Sequence, residues 1–268
     1  MTPTEIKAEL AKLGGGANKR LGQHFLIDTG VLEKIVDAAS IKEGDHVLEI
    51  GPGLGVLTKE LVGRGARVTA IEQDFRFLPI LMERIVSMNL EVVHGDAAAN
   101  DWDELIGDTP WKFVSNLPYS ITSLAIRKAL WGTKPPGILV VLIQREVAER
   151  AIARDGKTSL LSLMVALASS SSRIVTRVAR GAFFPAPKVE SAVLEVIPMD
   201  WKDREKRWGI EPQKIMDVAK KGFAHPRKFL ASNLGIDASV LSELGLNPKA
   251  RSEELSPDDW AKLARKLA

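Results

Sequence analysis

Short apolar runs recur through the first half of the chain, each followed by an amphipathic or turn-rich stretch: HVLEI (46–50), RVTAIE (67–72), LEVVH (90–94), WKFVS (111–115) and GILVVLIQ (137–144). Runs of this length, rich in β-branched residues and nearly continuous in apolar character, suit strands covered on both faces. Helical sequence between them predicts a parallel α/β sheet. Chemistry in such sheets gathers at the carboxyl ends of the strands, so the residues that close each run matter most.

The first run leads into EIGPGLGVLT, with Gly51, Gly53 and Gly55. Glycines there let the backbone turn sharply and approach a ligand. A dinucleotide fingerprint begun at Gly51 would need a glycine where Val56 stands, which counts against a nicotinamide enzyme. Glu72 ends the second run and can accept both ribose hydroxyls of an adenosine moiety. Asp96 follows the third run in HGDA, within reach of an adenine edge. Either acid alone reads equally as a solvated strand end; in order after a glycine loop, they point to a bound adenosine.

The fourth run closes on Ser115-Asn116-Leu117-Pro118-Tyr119. Pro118 explains why a strand stops, since it lacks a ladder donor and holds the preceding residue extended. It explains neither the asparagine nor the tyrosine. The exocyclic amine of a base is a poor nucleophile because its lone pair is delocalised into the ring. Two neutral oxygens, the Asn116 side-chain carbonyl and the Leu117 backbone carbonyl, can hold both N–H bonds and favour the positive charge developing on nitrogen. Tyr119 can stack on the base. The plain alternative makes Asn116 a turn residue and Tyr119, the sole tyrosine, a core anchor.

EIGPGLG, TAIE, HGDA, SNLPY and FFPAPKVESAV, in this order and spacing, resemble the KsgA family of small-subunit (16S) rRNA adenine N6,N6-dimethyltransferases. The resemblance runs from LGQHFL to the last helix. It implies a Rossmann-like S-adenosylmethionine-dependent methyltransferase domain over residues 1–199, with 1–30 as an arm toward cofactor and RNA, and a small all-helical RNA-binding domain over 200–268. It also implies methylation of two adjacent adenosines near the 3′ end of the small-subunit RNA, within the subunit or its precursor. Cofactor contacts carry over to His24, Leu26, Gly51, Gly53, Glu72, Asp96 and Asn116. Phe183 matches the aromatic that would sandwich the target base with Tyr119. Three stretches depart from the family pattern: His24 stands where asparagine is frequent, GKTSLLS replaces a tyrosine-glycine-arginine stretch, and His225-Pro226 fall where polar or basic residues are common.

Charge gives a local footprint rather than a global one. The chain carries a formal net charge of +3 over 268 residues, yet 201–228 hold nine Lys or Arg against four Asp or Glu, Arg227 and Lys228 among them. Lys19 and Arg20 precede GQHFL. These clusters suit an RNA path or a solvated helix face. No apolar run approaches the roughly 20 residues that span a bilayer, TPTEIKAEL is too charged for a secretion signal, and no cysteine occurs. A cytoplasmic monomer without a metal site is expected. Ser169–172 read as a polar turn. Three rival readings stand beside the main one: a macrolide-resistance type large-subunit methyltransferase, disfavoured by Gly51-Pro52-Gly53; a non-catalytic ribosome assembly factor; and an oxidoreductase.

Overall fold

The computed structural model describes residues 1–18, 21–153 and 157–268. Lys19 and Arg20, expected to contact RNA, lie outside the described residues. In chain order the elements are α1 (Pro3–Lys12), β1 (Phe25–Leu26), α2 (Thr29–Ala38), β2 (His46–Ile50), α3 (Val56–Gly63), β3 (Arg67–Glu72), α4 (Phe77–Arg84), β4 (Leu90–His94), α5 (Trp102–Ile106), β5 (Trp111–Asn116), α6 (Thr122–Trp131), β6 (Ile138–Gln144), α7 (Arg145–Ala151), α8 (Leu160–Ala168), β7 (Ser169–Val178), β8 (Phe183–Phe184), β9 (Ser191–Pro198), α9 (Trp201–Trp208), α10 (Pro212–Gly222), α11 (Leu230–Leu234), α12 (Ala238–Glu243) and α13 (Pro257–Leu267). Two units form: Met1–Ala148 with Arg173–Ile197, and Glu149–Ser172 with Pro198–Ala268. The second unit thus takes in 149–172 besides the C-terminal helices, a division that differs from a single cut at 199/200.

The main sheet has strand order β4-β3-β2-β5-β6-β9-β7. Strands β4, β3, β2, β5 and β6 are parallel, and β9 runs antiparallel to β6. Val47, Leu48, Val68, Phe113, Val114 and the run from Leu139 to Ile143 are fully buried, which is why these strands read as apolar rather than alternating. Each such side chain contributes roughly 1.5–3 kcal/mol through burial. Sequence order reverses between β3-β2 and β5-β6, and the β2/β5 ladder ends at Leu48↔Phe113. Beyond it the two strands part, bridged by the Ser115 hydroxyl donating to the Ile50 carbonyl (2.7 Å). A crevice at such a switch point is where α/β sheets bind ligands.

Helix α1 opens with the capping box that its sequence spacing predicts: the Thr2 amide donates to Glu5 Oε2 (2.7 Å) and the Glu5 amide to Thr2 Oγ1 (3.3 Å). It buries Ile6 and Leu10. A second, two-stranded sheet pairs β1 with β8, Phe25↔Phe184 and Leu26↔Phe183. The four serines expected to form a turn instead begin β7, the outermost strand. An edge strand faces water along one side and accepts polar side chains; Ser170 and Ser171 are exposed, while the buried Ser169 hydroxyl donates to the Val165 carbonyl (2.7 Å).

In the second unit α10 and α13 pack together, and Ile215, Met216, Ala219, Trp260 and Ala264 on them are buried. A Cβ on Gly222 would lie 2.5 Å from Trp260 Cη2, so only glycine lets the indole approach this closely. Helix α13 begins as its sequence predicts, with the Asp259 amide donating to Ser256 Oγ (3.2 Å) and Pro257 in the first turn. Arg204, counted with the surface charges of 201–228, is fully buried instead. Its Nε donates to the Met199 carbonyl (2.8 Å), its guanidinium lies 4.5 Å from the Trp201 ring centroid, and burial pulls its pKa down to about 10. Among the described residues no helix is long and apolar enough to cross a membrane.

Candidate active site

The crevice between the carboxyl ends of β2 and β5 gathers the sequence-predicted residues. His24, Leu26, Gly51, Gly53, Glu72, Asp96, Asn116, Leu117, Pro118 and Tyr119 all line it. Gly51 adopts φ +67°, and a Cβ there would sit 3.2 Å from Pro118 Cγ. The glycine loop and the proline turn are therefore in close approach, and each constrains the other.

Glu72 is 5% exposed and held at both oxygens: Oε2 accepts from the Gly53 amide (2.9 Å) and Oε1 from the Asp74 amide (2.8 Å). Burial raises its pKa and the two amides oppose that rise. One bond to each oxygen leaves further lone pairs on both, suiting a vicinal diol. Two residues on, Asp74 accepts a bidentate pair from Arg76 (Nε to Oδ1 2.9 Å, Nη2 to Oδ2 2.6 Å), which holds its carboxyl below the ordinary range. Gln23 Nε2 also donates to Asp74 Oδ2 (2.8 Å), tying the segment before β1 to the exit of β3.

At the end of β5, Asn116 Nδ2 donates to the His24 carbonyl (3.2 Å). That bond fixes the amide's sense, so Oδ1 is the end left to accept. Leu117 is 2% exposed and its amide donates to the Leu142 carbonyl (3.1 Å); any chemical role falls to its main chain. The 3-10 turn Tyr119–Ile121 follows Pro118. The Tyr119 hydroxyl lies 2.7 Å from Ser191 Oγ, and its ring stacks on His24 with centroids 5.7 Å apart. Burial raises the phenol pKa. His24 Nδ1 lies 2.7 Å from the Pro185 carbonyl, which requires the proton on that nitrogen.

The sequence model described as "Ribosomal RNA adenine dimethylase" matches residues 15–268. The chain belongs to this family. A "Ribosomal RNA small subunit methyltransferase A" of Dehalococcoides mccartyi (strain CBDB1) is 39% identical over 262 residues, 94% of this chain and 89% of that relative. The protein of the same name from Deinococcus radiodurans is 38% identical over 266 residues, 95% and 87% of the two chains. Among solved structures, a dimethyladenosine transferase from Plasmodium falciparum superposes with a TM-score of 0.76 at 28% identity, covering 90% of this chain and 96% of that one. The 23S rRNA methyltransferase ErmE superposes with a TM-score of 0.69 at 25% identity, covering 91% and 99%. The fold is thus the Rossmann-like methyltransferase fold with a helical C-terminal part, as the family resemblance implied.

Other expected residues lie elsewhere. Phe183 is 3% exposed, packed in the core, and does not line the crevice. On a strand the side chains alternate; Phe184, its neighbour on β8, is the partly exposed ring, with Lys7 Nζ 5.4 Å from its centroid. Arg227 and Lys228 are exposed between α10 and α11 of the second unit, in a run with His225 and the 46%-exposed Phe229. His46 is a hydrogen-bonded strand residue, its Nε2 2.9 Å from Thr69 Oγ1 and its pKa lowered by burial. One lining residue was missed. Glu49, in the middle of HVLEI, is 1% exposed, and its Oε2 makes no hydrogen bond to a described residue. The available signal was an acid inside an otherwise apolar run.

Proposed function

We propose that this chain uses S-adenosylmethionine to dimethylate N6 of two adjacent adenosines near the 3′ end of the 16S RNA, in the small ribosomal subunit or its precursor. The observation that carries the reading is the oriented Asn116 amide: Nδ2 is committed to the His24 carbonyl, leaving Oδ1 to accept from a base amine at the mouth of β5. Bound S-adenosylmethionine supplies a methyl already activated by its sulfonium.

The chain's residues have the remaining tasks. Glu72 holds the ribose diol and Asp96 the adenine edge; Gly51 and Gly53 let the backbone lie against the amino-acid part, and His24 and Leu26 cover it. Asn116 Oδ1 and the Leu117 carbonyl accept the N6 hydrogens of a base drawn from its stack, localising the lone pair and stabilising the cation that forms. Tyr119 offers a stacking face, and such stacking is worth about 1–3 kcal/mol per base. Phe183 would have to leave its buried position to supply a second face. The N6 cation formed by one transfer loses a proton to water as the neutral thioether leaves, so a single N6 hydrogen remains and one acceptor suffices for the second transfer. Arg227 and Lys228, with the exposed Lys220 and Lys221 that end α10, provide the cations for the RNA backbone.

The test is incubation of the full chain with labelled cofactor and unmodified small subunits, followed by nucleoside analysis. N6,N6-dimethyladenosine at two neighbouring positions is expected. Label confined to large subunits, or to other nucleosides, would overturn the assignment.

A further inference from the structure

Helix α6 starts at the catalytic turn, where the Thr122 hydroxyl donates to the Pro118 carbonyl (3.4 Å). Near its other end Lys128 reaches across to the loop that follows β4. Its Nζ donates to the carbonyls of Ala97 (3.2 Å), Ala98 (3.1 Å) and Asn100 (2.7 Å), and the ammonium lies 5.1 Å from the Trp102 ring centroid. An ammonium has three protons, and here three acceptors of one short loop surround it.

That loop carries Asp96. Asp96 Oδ1 accepts from the Ala98 amide (2.8 Å), and its carbonyl accepts from the Ala99 and Asn100 amides (2.9 and 3.0 Å). The turn curls tightly, and its Ala97, Ala98 and Asn100 carbonyls converge on the Lys128 ammonium. Converging carbonyl dipoles repel one another, and a cation at their focus removes that cost. Trp102 Nε1 adds a bond to the Ala97 carbonyl (2.9 Å), and its ring face receives the ammonium. One helix therefore begins at the turn assigned to the base amine and, through Lys128, reaches the loop assigned to adenine.

We infer that Lys128 is a positioning residue for the cofactor: it holds the Asp96 loop in the conformation that meets the adenosine end. The inference rests on the adenosine reading of the crevice given above. It predicts a defect in cofactor affinity rather than in turnover.

The experiment compares Lys128→Met and Lys128→Arg with wild type. Calorimetry would use two probes, S-adenosylhomocysteine and 5′-methylthioadenosine, the second lacking the amino-acid part. Lys128→Met should weaken both by about tenfold, the scale of one charge-assisted hydrogen bond. Cofactor KM should rise in step, with kcat on small subunits within about twofold. Lys128→Arg, which keeps several donors on a cation, should recover most of the affinity. Unchanged affinity in Lys128→Met, or a fall in kcat at constant KM, overturns the inference, as does failure of Lys128→Arg to bind better than Lys128→Met. Should Lys128→Met not fold, Lys128→Gln decides: weakening of both probes by about tenfold with recovery in Lys128→Arg supports the role, and unaltered affinity in Lys128→Gln overturns it. Asp96→Ala also separates the two claims, because full affinity there removes the carboxylate from adenine recognition while leaving the lysine comparison to stand or fall by itself.

Discussion

Replacing Glu49 by glutamine should make the protein's stability less dependent on pH. Glu49 is fully enclosed beneath the glycine loop, and its pKa is pushed up to about 8 by burial; the Thr58 hydroxyl pulls against that rise and the Glu72 carboxylate adds to it. A carboxyl whose folded pKa exceeds its unfolded value of 4.5 binds its proton more tightly in the folded chain. Its contribution is complete at pH below the unfolded value and is lost as pH climbs toward the folded one. At about 1.4 kcal/mol per pKa unit, integrating between about pH 5 and pH 8 gives a loss of several kcal/mol from this one group. Glutamine keeps the shape and carries no titrating proton. Urea unfolding of both proteins without cofactor, repeated across that range, should give stabilities whose difference shifts in favour of Glu49→Gln by several kcal/mol as pH rises. Parallel stability curves would refute the reasoning, since they would mean that Glu49 titrates alike in folded and unfolded chains.

Asn116→Ala should lower single-turnover methylation of small subunits by on the order of 10²–10³, by analogy with loss of one oxyanion-hole donor; near-normal rates would defeat its proposed role. Glu72→Ala should weaken S-adenosylhomocysteine binding by more than about tenfold in calorimetry, because two backbone amides that now orient the carboxylate would lose their acceptor along with the ribose. Gly51→Ala combines a left-handed φ with a Cβ pressed on Pro118; it should cost about 1–3 kcal/mol in thermal or urea unfolding and reduce kcat by displacing the Asn116 turn.

The parts of the fold visible in the sequence are those whose signal is local. β2 and β3 match their apolar runs because each is a buried parallel strand bounded by turn-forming residues, and β4, the sheet's outer parallel strand, matches its run although only Leu90 of it is buried. The site was legible for the same reason: Gly51, Glu72, Asp96 and Asn116 each end a readable strand or follow one closely. What escaped depends on partners remote in sequence. Ser169–Val178 is a strand because a sheet edge tolerates hydroxyls, not because serine favours one. Arg204 counts as a surface cation until a tryptophan and a carbonyl enclose it, and Lys128 looks like an ordinary helix charge until the loop carbonyls appear beside it. Phe183 and Phe184 are adjacent letters whose burial differs only after β8 has found β1.

That pairing has a consequence for the order in which the protein can mature. Phe25 and Leu26 emerge early in synthesis, yet their strand partner is made only at Phe183–Phe184, and the carbonyl that takes the His24 ring proton belongs to Pro185. A nascent chain that has not reached this proline has the glycine loop, Glu72 and Asn116 but lacks the contacts that seat His24 between the Asn116 amide and Tyr119. Under the proposed function, a product truncated before Phe183 should therefore transfer no methyl even where it binds RNA.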